Sequence, residues 1–184
     1  MNKAIFRMQS TDQTNCLRLA SLTRDLVSFD ERSRANAYRD MLELAENGDG
    51  KAMFQVARCL NQGIGVDTDS TRADHWLRLA CIAKPASTDA LFTYGMSHVL
   101  KQRAGADPIK GIQYIERAAS AGYVKATLEL VKIVEHGMTD IKPDLRRAYR
   151  LLASSLSEKS DKALYTAYVG FVERHQPITN LLDS

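Results

Sequence analysis

Residues 45–80 read AENGDGKAMFQVARCLNQGIGVDTDSTRADHWLRLA, and this stretch decides the fold. Near its start, Ala52-Met53-Phe54 is the first of four blocks of the form Ala-x-(aromatic or Leu). The others are Ala90-Leu91-Phe92, Ala126-Thr127-Leu128 and Ala163-Leu164-Tyr165, so successive alanines stand 38, 36 and 37 residues apart. Self-similarity at such a period is the mark of stacked helical repeats. Each repeat reads as two helices. Helix A carries the alanine block. Helix B carries an aromatic residue with alanine four positions on, as Trp76/Ala80, Tyr114/Ala118 and Tyr149/Ala153. Residues four apart share a helix face. A ring beside a small side chain there makes a knob and a socket for the neighbouring helix.

Capping chemistry bounds these helices. Asn47-Gly48 and Ala121-Gly122 mark ends, where glycine accepts the left-handed conformation. Asp69-Ser70-Thr71 and Asp107-Pro108 mark starts, the second with proline at the first helical position. Asp144 stands at the matching place in the third repeat, and Ser87-Thr88-Asp89 and the Ser157–Asp161 cluster close two further turns. The reading places A helices near 50–61, 88–101, 124–136 and 160–175, and B helices near 70–83, 108–121 and 144–156. Upstream, Ser28-Phe29-Asp30-Glu31 has the form of a capping box. It predicts a helix over about 30–47, preceded by another near 12–28. The turn after Ala80 is two residues longer than its counterpart after Ala118, and Lys84-Pro85 sits in it.

Composition fits this architecture. The chain has 184 residues, 45% hydrophobic and 26% charged, with a formal net charge of +3. That length suits one structural domain, and the charge is too balanced to predict nucleic-acid binding. Four prolines and ten glycines leave long stretches free to be helical. No apolar run is long enough for a signal peptide or a membrane span. The expected location is cytoplasmic. Cys16, Cys59 and Cys81 have neither disulfide nor zinc spacing and read as small apolar residues, buried or half-buried.

The stretch 45–80 also resembles a known family. Ala45-Glu46-Asn47-Gly48-Asp49-Gly50-Lys51-Ala52, then Gly63-Ile64-Gly65-Val66-Asp67-x-Asp69, then Ala73-x-x-Trp76-x-x-x-Ala80 resemble the Sel-one-like repeat (SLR), a relative of the tetratricopeptide repeat (TPR). The third repeat keeps Ala119-x-x-Gly122-x-x-x-Ala126, His136-Gly137 and Tyr149. The second has Lys101-Gln102-Arg103 in place of the glycine loop, and the fourth has no second helix. The resemblance implies an all-α, TPR-like solenoid: a right-handed superhelix of antiparallel helix pairs with A helices lining a concave face. On this reading residues 1–36 form an N-terminal cap, 37–176 the solenoid and 177–184 a short tail. It also implies a protein-interaction module or adaptor, regulatory or chaperone-like in a bacterium.

By analogy with tetratricopeptide folds, core positions lie four, five and eight residues after the first alanine of helix A. Concave positions lie one before and two, six and ten after it. The expected partner-binding residues are therefore Lys51, Phe54, Arg58, Phe92, Met96, Leu128, Lys132 and Tyr165. Lys125, Lys162 and Glu173 also fall at concave positions. The apolar ladder Phe54–Phe92–Leu128–Tyr165 with its flanking cations would suit a partner with apolar anchors and acidic residues. The same rings could instead pack between helices, or bury against another copy in a homo-oligomer. No catalytic, cofactor or metal site is expected. The four histidines have no metal spacing, His98 falls on a core position, and Glu135-His136 lacks the third group that orients an acid/base pair.

Overall fold

A computed structural model describes residues 2–138 and 141–175, with side chains from Thr14 onward. Among them are nine α-helices: α1 (Asn2–Asp25), α2 (Glu31–Glu46), α3 (Gly50–Gln62), α4 (Ser70–Ile82), α5 (Thr88–Val99), α6 (Pro108–Ser120), α7 (Val124–His136), α8 (Leu145–Glu158) and α9 (Lys162–Arg174). The described residues contain no strand, only an isolated bridge between Met138 and Ile141. The fold is all-α, and neighbouring helices pack in antiparallel pairs such as α3 with α4 and α7 with α8. Two compact units divide the chain, residues 1–90 and 91–184.

Aspartate starts most of these helices. Asp30, Asp49, Asp69, Asp107, Asp144 and Asp161 each accept hydrogen bonds from the first free backbone N–H groups of α2, α3, α4, α6, α8 and α9. Each such cap stabilises its helix by about 1 kcal/mol. At α2 the cap differs from the expected box: Asp30, not Ser28, caps the helix, and the Ser28 hydroxyl instead accepts the Asp30 N–H. An ionised carboxylate one residue from the helix outbids a hydroxyl for the N–H groups. α1 starts ten residues before the expected place; neither glycine nor proline interrupts residues 2–25.

In the N-terminal unit, Leu22 of α1, Leu26 just after it, Met41 and Leu44 of α2, and Val56 and Leu60 of α3 make one buried cluster, with Trp76 of α4 packed against it. Each such side chain contributes about 1.5–3 kcal/mol by leaving water. α1 turns Leu19 and Leu22 inward, so Cys16 is exposed, against expectation, while Cys59 and Cys81 are buried. Burial pushes the Cys59 thiol up to about 11, despite the Arg58 charge, which makes it an inert packing group.

In the C-terminal unit, α5 and α6 touch backbone to backbone. A Cβ on Gly111 would lie 2.6 Å from the Gly95 carbonyl oxygen, and one on Gly95 would lie 2.7 Å from that of Gly111. α5 ends at Val99, two residues early, where Lys101 takes the left-handed conformation (φ 53°) that glycine supplies in the first repeat. Side chains hold this altered loop. The Arg103 guanidinium lies 4.3 Å from the Tyr94 ring centre. His98 is buried with its ring 4.9 Å from Tyr94, which in turn lies 4.9 Å from Tyr114, and its Nδ1 accepts the Asp107 N–H at 3.0 Å. This interior role for His98 is the one expected.

Candidate functional site

The A-type helices α3, α5, α7 and α9 carry the expected partner-binding residues. In α3, Lys51 is exposed, and Phe54 and Arg58 are half-buried. The Arg58 Nε is buried without a hydrogen-bond partner among the described residues. In the C-terminal unit Phe92 is buried, at 9% exposure. Its ring meets Tyr123 edge to face at 5.6 Å, and the Lys125 ammonium lies 5.1 Å above it. Phe92 thus packs between helices in this structure. Met96 and Leu128 are half-buried and Lys132 is exposed.

A concavity in this unit lies between α7 and α9. It is an open cleft of about 620 Å³, lined by Leu128, Val131, Lys132 and Glu135 of α7 and by Lys162, Ala163, Thr166, Ala167 and Arg174 of α9. Its floor is apolar, from Leu128, Val131 and the two alanines. Its rim is cationic, from Lys132, Lys162 and Arg174. Lys132 also pairs with Glu129 one turn back, at 3.1 Å.

Tyr165 does not line this cleft and is 60% exposed. The cause is a shift of one residue in the fourth repeat. Cap Asp161 follows cap Asp49 by 112 residues, whereas Ala163 follows Ala52 by 111. Burial agrees with the caps: Ala52 is sealed, and in α9 the sealed residue is Leu164, at 1% exposure, while Ala163 faces out. Moving the pattern on by one turns the face by about 100°. Positions one before and two, six and ten after Leu164 are Ala163, Thr166, Gly170 and Arg174. Three of these line the cleft. The spacing of the aspartate caps carried this register; the alanine block did not.

Glu135 lines the cleft beside Arg174. Its side chain is 5% exposed. It accepts two bonds from Arg174 at Oε1, from Nε at 3.1 Å and Nη2 at 2.9 Å, and a third from His175 Nε2 at 3.0 Å. His136, its sequence neighbour, points elsewhere and contacts the Lys132 carbonyl at 3.0 Å. Burial pushes the Glu135 carboxyl up, but the bonds from His175 and Arg174 and the Arg174 charge outweigh it. The carboxyl is held below its usual range. The stabilisation from ionised Glu135 is therefore complete above the unfolded value near 4.3 and is lost as pH falls through the lower folded value. Glu135→Gln is expected to cost about 1–3 kcal/mol at pH 7. The gap between the two proteins in urea melts should narrow as pH falls below the unfolded value, and a gap that stays constant from pH 7 down through the acid range would refute the ionic role.

The described residues hold no cluster of three or more His, Cys, Asp or Glu side chains able to hold a metal ion, and no helix long and apolar enough to cross a membrane. A second concavity of about 470 Å³ lies in the N-terminal unit between α2 and α4. It is lined by Leu42, Glu46, Thr71, Arg72, His75, Trp76 and Arg78.

No curated protein matches the chain significantly in sequence. Among solved structures, a Sel1 repeat protein from Oxalobacter formigenes aligns over 72% of this chain and 96% of its own, with 22% identity and a TM-score of 0.61. A protective antigen of uropathogenic Escherichia coli displaying an SLR fold aligns over 77% of this chain at 18% identity and a TM-score of 0.63; the match spans 30% of that antigen. Both likenesses concern the fold. The Sel1 repeat family model matches residues 50–84, 94–123 and 133–158. Sel1 repeat proteins generally mediate protein–protein interaction and are typically non-catalytic scaffolds. With three matched repeats and the fold of solved members, this chain belongs to the Sel1 repeat family.

Proposed function

We propose that the chain is a cytoplasmic adaptor, regulatory or chaperone-like in a bacterium, that holds a segment of a partner protein on the faces of its A-type helices. The segment is acidic with apolar anchors. The observation that carries this reading is the α7–α9 cleft, whose apolar floor is rimmed by Lys132, Lys162 and Arg174. An aliphatic side chain fits the floor beside Leu128 and Val131. A neighbouring carboxylate is favoured by the rim, which chiefly speeds encounter and sets register. Lys51, Phe54 and Arg58 offer a second contact of the same chemistry on α3. No catalytic step, cofactor or nucleic acid enters this reading, and residues 1–36 serve as a cap.

The test is direct. Peptides enriched from a random display library on the full chain are expected to carry Asp or Glu beside Leu, Ile or Met. Their affinity, read by titration calorimetry, should fall about tenfold or more in Lys132→Glu/Lys162→Glu and weaken with salt. Ala167→Leu, which fills the cleft, should block binding without loss of helical signal. Enrichment of basic peptides, or affinities blind to all three changes, would refute the reading.

A further inference from the structure

The outer face of α9 carries apolar side chains that are only partly covered. In α3 the positions Val56, Ala57 and Leu60 are buried, as are Leu130, Val131 and Val134 in α7. The B-type helices α4 and α8, which follow α3 and α7, pack against them. In the register set by the caps, the matching residues of α9 are Tyr168, Val169 and Val172. All three are half-buried, and Tyr165 beside them is largely exposed. Tyr165, Val169 and Val172 recur at i, i+4 and i+7, which makes one stripe along the helix. Among the described residues no helix follows α9. A repeat face that no following helix covers is a surface for a partner.

We propose that this face docks a second copy of the chain, α9 against α9, antiparallel about a two-fold axis. The stripe is self-complementary. Tyr165 lies in its first half, Val172 in its second and Val169 near its centre. An antiparallel pair therefore sets each Tyr165 beside Val172 of the second copy and the two Val169 side chains together. The charges agree. Lys162 and Glu173 stand on the same edge of α9 at opposite ends, and both are exposed. The two-fold axis brings each Lys162 to Glu173 of the second copy, twice over. An unrelated helix of one charge sign would leave either Lys162 or Glu173 opposed by its like. A two-fold contact of this kind closes on itself and gives a dimer, not a filament.

Sedimentation velocity on the full chain over about 1–200 µM is expected to show a reversible monomer–dimer equilibrium. Val169→Lys should leave helical content unchanged and raise the dimer dissociation constant at least about tenfold. Lys162→Glu and Glu173→Lys should each weaken the dimer, and the double exchange should restore it, because the exchanged pair is again of opposite sign. Val169 lies outside the α7–α9 cleft, so peptide binding measured on the Val169→Lys monomer stays separable from dimerisation. A monomer at every concentration overturns the proposal, whether residues 176–184 of the same chain or an unrelated protein covers the face. So does a dimer that survives Val169→Lys, or a double exchange that restores nothing.

Discussion

Gly65→Ala is expected to destabilise the N-terminal unit by about 3 kcal/mol or more. Gly65 sits at φ 67° in the loop after α3. An L side chain pays about 1–2 kcal/mol for the left-handed conformation. The position is also crowded: a Cβ there would lie 2.4 Å from the Arg34 carbonyl oxygen and 2.9 Å from the Ala35 nitrogen, both backbone atoms of α2. Backbone cannot swing aside as a side chain can, and such overpacking costs a further 1–3 kcal/mol or so. Gly48→Ala separates the two effects. Gly48 has φ 95° and nothing within 4 Å of the added atom, so it pays only the conformational cost. Trp76, the only tryptophan, packs against the core of this unit and reports its unfolding in urea. Equal losses in the two variants would show that closeness to α2 is not what demands glycine at 65.

Phe171→Ala is expected to cost the C-terminal unit about 3–5 kcal/mol and to abolish the cleft with it. The Phe171 ring is buried, 4.7 Å from His175 and 6.3 Å from Tyr149 of α8. α9 buries only Leu164 and Phe171, where α7 buries seven residues. With so few anchors, removal of one releases much of the helix, and Arg174 can no longer reach Glu135. Hydrogen exchange should show α9 amides losing protection before those of α7, with peptide affinity falling in step. Phe171→Leu keeps most of the volume and should cost about 1 kcal/mol. Unchanged α9 protection in Phe171→Ala would refute this account of how the helix is seated.

The lining of the proposed cleft was partly legible in the chain. Leu128 and Lys132, which the spacing shared by α7 and the first repeat places on the concave face, line the proposed cleft. Arg174, Thr166 and Glu135 were not found. Arg174 and Thr166 fall one residue away from the positions that the alanine block indicates. Glu135 stands next to His136 in the chain, but its partners Arg174 and His175 lie about 40 residues on. No local pattern announces such a pairing.

Helix identity, helix ends and the repeat itself were settled by local chemistry. An aspartate cap satisfies backbone groups two or three residues away, and the 3.6-residue period is read within a single helix. Those features survive in any arrangement of the helices. Which face of α9 turns to the cleft rested on packing. A slip of one residue leaves caps and amphipathic pattern nearly unchanged while it turns every side chain by about 100°. Contact with α7 and α8, through Leu164 and Phe171, selects one rotation. That rotation puts Arg174 at Glu135 and carries Tyr165 to the outer face, where its exposed ring joins the stripe proposed to hold a second copy.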